Sequence, residues 1–168
     1  SQTVRNAEEV AHQEIVLGTS TEEVWRSRFK ESARHAKVAT IVDRYCIDEI
    51  IKARDPRTGY NDSGLYKFLV NCDRDASNRD APRLTVKIFA IWPGVNSRFP
   101  KGIEEHLVEE KVRESLPTLA RGGVQRIEIH LLWDIDMLNS AHGRYVRFGT
   151  DYLMSLDTGI TVLSKRKV

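Results

Sequence analysis

Cysteine is scarce in this chain, and what there is forms no pair. Cys46 and Cys72 are the two cysteines among 168 residues, and they lie far apart in apolar stretches. That excludes a disulfide scaffold and a CxxC metal knuckle, and reads as two reduced core thiols of a cytoplasmic protein. A long hydrophobic run is also missing. No stretch approaches the roughly 18 apolar residues of a membrane-spanning helix, and no signal segment is present. An excess of one charge is missing too. Lys and Arg number 26 against 24 Asp and Glu, a net charge of +2, so composition alone does not argue for a nucleic-acid partner. There is no Walker loop, no GxGxxG and no GxSxG. Gly122-Gly123 reads instead as a helix stop. His12, His35, His106 and His130 show no metal-ligand spacing, so neither a metal nor a cofactor is expected.

Repeats, low-complexity tracts and linkers are absent as well, so residues 1–168 read as one domain, large enough to bury a real core. Residues 1–18 form an N-terminal arm and residues 164–168 a basic tail, Ser164-Lys165-Arg166-Lys167-Val168. The first residue is Ser, and the chain stops soon after an apolar run. It therefore reads as part of a longer protein, with a further domain or a protein partner expected.

What is present is an alternation of elements. Thr19-Ser20-Thr21-Glu22-Glu23 is a helix-start signature, and Val24, Trp25 and Phe29 recur at helical spacing, predicting a helix over 21–36 with Trp25 and Phe29 in the core. Val38–Tyr45 (VATIVDRY) predicts a buried strand, followed by a short helix over 46–53 and another over 65–72. Residues 73–82 read as a polar loop of alternating charge. Arg83–Trp92 (RLTVKIFAIW) predicts a second strand. Residues 102–119 predict an acidic amphipathic helix that Pro117 ends or kinks. Residues 125–133 predict a third strand. Tyr145–Phe148 and Tyr152–Leu163 then alternate and predict a hairpin. Strands separated by helices imply an α/β fold, a mixed, mostly parallel sheet flanked by helices on both faces.

Two places suit chemistry. His142 opens the hairpin, and Arg144 stands two residues on, the spacing that puts side chains on one face of a strand. An imidazole can attack phosphorus or donate a proton, and a guanidinium can grip phosphate oxygens. The second place is Asp43-Arg44-Tyr45 at the carboxyl end of the first strand, where open α/β sheets form their sites. Asp43 is positioned to orient His142, to pair with Arg144, or to cap the following helix.

These motifs carry a resemblance. VATIVDRY, LYKFL over 65–69, RLTVKIFAIW, RIEIHLLW and the His142-Gly143-Arg144 hairpin follow the order of a single phospholipase D-like half domain. The chain most resembles the phospholipase-D-like module at the C-terminus of MIT-domain proteins, over roughly residues 21–163. Active members of that superfamily use HxKxxxxD, forming a phosphohistidine where two motifs meet. Here His142 matches, Arg144 stands at the lysine position, and Gly149 stands at the aspartate position, with Asp151 two residues further on. One motif per chain means that a complete site needs a homodimer. The MIT-linked modules bind acidic phospholipid rather than catalyse. The resemblance therefore implies a catalytically degenerate module in which His142 and Arg144 bind the phosphate of an acidic lipid or nucleic acid, or the domain docks on a protein. Asp43, Tyr45 and Asp151 would support the site. The alternative is a metal-independent homodimeric phosphodiesterase or nuclease using His142. A third reading is a scaffold domain whose hairpin and basic tail dock in a larger assembly.

Overall fold

Ser20 begins the ordered architecture in the way its position demands. Its hydroxyl accepts from the Glu23 amide at 3.1 Å and caps helix α1, Thr21–Arg28. The computed structural model describes residues 19–77, 83–93, 105–133, 143–150, 152–155 and 159–164. The predicted N-terminal arm, His142, Asp151 and the basic tail beyond Ser164 lie outside the described residues.

The first predicted helix is two. Phe29, with φ −122° and ψ −34°, separates α1 from α2, Lys30–His35. The break turns the ring of Phe29 fully inward. Strand β1 is Val38–Val42, α3 is Cys46–Lys52, α4 is Gly64–Asp75 and β2 is Leu84–Ile91. Helix α5, Glu105–Ser115, stops two residues before Pro117, because the residue before proline is pushed out of helical geometry. Strands β3, Val124–Leu132, β4, Tyr145–Phe148, and β5, Tyr152–Ser155, complete one five-stranded sheet of order β3-β2-β1-β4-β5.

β1, β2 and β3 pair in parallel, and β4 is antiparallel to both β1 and β5. Four of the five strands thus run one way, but β4 between β1 and β5 makes two of the four pairings antiparallel, so the sheet is evenly mixed rather than mostly parallel. The second half of the predicted hairpin differs. After β5 the chain forms a 3-10 helix, Gly159–Leu163, rather than more strand. The apolar pair Ile160 and Leu163 fits a three-residue turn as well as the alternation that suggested a strand.

The sheet has two unlike faces. Ala39, Ile41, Val86, Ile88, Ala90, Val146 and Phe148 point to one side and join a single buried cluster with residues of all five helices and the 3-10 helix. At its centre Phe29 and Phe68 meet each other, Trp25 on one side and Phe148 on the other, with ring centroids 5.6 to 6.4 Å apart. The other side carries Thr85, Lys87, Phe89, Arg126, Glu128, His130, Tyr145 and Arg147 by register. Its buried residues, Val42 and Ile91, form a separate small cluster that no described helix residue joins. The expected helices on both faces are therefore found, among the described residues, on one face only. Lys87, Arg126 and Arg147 need water, and a covering helix would strip it from them.

Two buried aspartates tie this layer to the sheet. Asp73 accepts from the amides of Arg121 and Val124 at 2.9 and 3.0 Å, anchoring the start of β3 to α4. The sequence pattern places it in a solvated loop; instead α4 runs on through Asp75 and buries it. Cys46 and Cys72 are both buried free thiols.

Candidate functional site

β1 delivers Asp43, Arg44 and Tyr45 to its carboxyl end, and α3 begins directly afterwards at Cys46. Asp43 is only 2% exposed. Its Oδ1 accepts from the Tyr45 amide at 3.0 Å and its Oδ2 from the Ile160 amide at 2.8 Å. The carboxylate therefore shapes the turn into α3 and fastens the 3-10 helix across the strand end. Gly159 makes that approach possible. Its φ is +70°, and a Cβ there would meet Asp43 Oδ2 at 2.2 Å and Arg144 Cδ at 2.9 Å.

Arg144 precedes β4, whose antiparallel register sets Tyr145 opposite Val42. The residue thus arrives level with Asp43. Its guanidinium carbon lies 5.2 Å from the centroid of the Tyr45 ring, and it forms no ion pair among the described residues. A guanidinium lying over an aromatic ring uses its face for the ring and keeps its in-plane N–H groups for oxygens. Of the expected residues, the structure brings Asp43, Tyr45 and Arg144 together at one rim. His142 and Asp151 lie outside the described residues.

Gly149, which the resemblance would set at the motif's aspartate position, occupies the turn between β4 and β5. Its φ is +64°, and its amide donates to the Val38 carbonyl at 2.8 Å. The position forms the turn and carries no carboxylate.

Glu49 is a candidate site residue that sequence reasoning missed. It lies one helical turn beyond Tyr45, and its amide donates to the Tyr45 carbonyl at 2.9 Å. Its Oε2 is buried without a hydrogen-bond partner. Burial, and then the Asp43 charge, push its carboxyl up to about 7, with Arg144 pulling the other way. The same two carboxylates add to burial in raising the Cys46 thiol. Glu49 borders a groove of 360 Å³ lined also by Lys52, Asp62, Ser63, Thr161 and Ser164. The available signal was its place four residues after Tyr45, beside the buried Ile50.

The rim can hold an anion through Arg144 and exchange a proton through Glu49. Among the described residues no group of three His, Cys, Asp or Glu side chains is arranged to hold a metal, and no helix is long and apolar enough to cross a membrane. Comparison with family models, curated proteins and solved structures finds no match.

Proposed function

We infer that the chain is a catalytically degenerate phospholipase D-like binding module that recognises a phosphate-bearing partner at the rim beside Arg144. The observation that carries this reading is the placement of Arg144. Its guanidinium is held over Tyr45 at 5.2 Å with its charge unmatched by an ion pair among the described residues, a poised cation beside two carboxylates of which one titrates near neutrality. Arginine at the motif's lysine position keeps a phosphate contact. Glycine at its aspartate position, built into a tight turn, supports loss of catalysis.

The test is a titration of the chain with inorganic phosphate, acidic-lipid vesicles and a short oligonucleotide at low and at moderate salt. Binding should weaken as salt rises, because phosphate contacts release counterions, and Arg144→Gln should weaken it about tenfold, the loss of one charge-assisted contact. No binding of any of the three at low salt would refute the reading. Hydrolysis of a chromogenic phosphodiester in EDTA, lost on His142→Ala, would replace it with the homodimeric phosphodiesterase.

A further inference from the structure

The face of the sheet that no described helix covers is not a plain solvated surface. Across its parallel strands, Phe89 of β2 and His130 of β3 sit opposite each other and stack at 4.6 Å between centroids and 11° between planes. His130 is exposed, and Phe89 is partly so. Beyond Phe89, the buried Val42 and Ile91 form one small cluster on which the partly buried Phe89, Leu132, Tyr45 and Tyr145 pack. Tyr45 carries Arg144, so the aromatic run ends at the cationic rim.

Charge on this face is predominantly positive. Lys87, Arg126 and Arg147 share it by register, against one acid, Glu128, which lies 3.0 Å from Arg126 and 3.9 Å from Lys87. Among the described residues β3 is the outer strand of the sheet. A ring stacked against its inner neighbour therefore turns its second face toward the sheet edge, where another flat ring can continue the stack.

We propose that this face binds single-stranded nucleic acid, with bases extending the Phe89–His130 stack and resting on Tyr145, and with Lys87, Arg126 and Arg147 leading the phosphates toward Arg144. Flat rings interleaved with cations on an exposed sheet are the physical requirement for such binding. Every base offers a π-face, and the backbone offers regularly spaced negative charge. A lipid surface has no use for a stacked ring pair. A duplex keeps its base faces covered. The proposal rests on the phosphate-binding reading of Arg144 only for where the strand ends. The stacking surface is a separate set of residues.

The experiment measures fluorescence anisotropy of a labelled single-stranded oligonucleotide of about twelve nucleotides with the full chain, beside a duplex of the same sequence and acidic-lipid vesicles. The single strand should bind at low salt, at least tenfold more tightly than the duplex. The double variant Phe89→Ala/His130→Ala should lose at least tenfold, with its melting transition near that of the parent. Arg126→Glu should weaken binding and flatten its salt dependence without touching the stack. Single-strand binding that survives Phe89→Ala/His130→Ala but falls with Arg144→Gln would overturn the sheet-face proposal and leave the rim reading intact. Binding of vesicles but not of oligonucleotide would do the same. Binding by neither would remove both.

Discussion

The two faces of one sheet are built from the same strands, residue by alternate residue, yet they do opposite things. On one, Ile41, Ile88 and Val146 are fully buried under helices. On the other, Lys87, His130 and Arg147 stand in partial or full contact with solvent. The difference teaches where rigidity comes from and where the proposed recognition would sit. The covered face supplies a packed core that holds strand register, and the register sets Phe89 against His130 on the far side without any other scaffold.

The largest expected effect is on the covered face. Phe68→Ala opens the aromatic centre formed with Trp25, Phe29 and Phe148, and should lower stability by about 3–5 kcal/mol, the range for removing a buried ring. Denaturant melts check this, and a loss under about 1 kcal/mol would mean that the helical layer contributes far less than its burial suggests.

The seam between layer and sheet comes next. Asp73→Ala strips the acceptor from the Arg121 and Val124 amides and should destabilise by about 2–3 kcal/mol, since buried donors left unpaired lose their hydration without replacement. An unchanged denaturation midpoint would show that water takes over the role.

Smaller again is the pH dependence from Glu49. Its folded-state pKa near 7 lies above the ordinary carboxylate value of 4.5, so the folded form binds more protons between those values. The favourable contribution is whole below the ordinary carboxylate pKa and is lost as pH climbs through about 7. Because Glu49 is partly exposed, the loss should be about 1 kcal/mol after screening. Glu49→Gln should flatten the stability profile from acid to mildly alkaline pH and exceed the parent at the alkaline end. A variant with the parent's slope would place the titration elsewhere.

The smallest effect belongs to the open face. Lys87→Ala should shift stability by no more than about 0.5 kcal/mol, as surface changes do, because its ion pair with Glu128 is a long, exposed one. A larger loss would mean that this face is structural and would blur the contrast between the two sides.

Most elements were legible because they rest on local pattern. VATIV, LTVKIFAI and VQRIEIHLL are β-branched and apolar enough to declare themselves as strands, and Ser20 with Glu23 declares a helix start. The break at Phe29 was not legible, since both halves keep the same apolar stripe. Nor was the 3-10 helix after Gly159, whose spacing imitates a strand. The site was legible in part. Asp43, Tyr45 and Arg144 were recognised from their place at strand ends. Glu49 reads in sequence as one more acid of a short helix, and only burial beside Asp43 makes it unusual. Phe89 and His130 were hidden for a different reason. The alternation of Thr85 and Lys87 in one strand, and of Arg126 and Glu128 in the other, already signals a second face that meets water, but only strand pairing in register sets the two rings against each other.

By itself the sequence determined which segments become strands and helices, since those follow from side-chain periodicity, capping and backbone restriction within a few residues. It also determined that a cationic residue stands at the start of β4. Only the tertiary structure decided that Asp73 meets an amide 51 positions away and Asp43 one 117 positions away, that Arg144 lies over Tyr45, and that the described helices all pack on one face of the sheet. Those outcomes depend on pairing between distant strands and on which surfaces the helices bury, and neither is encoded in any local run of residues.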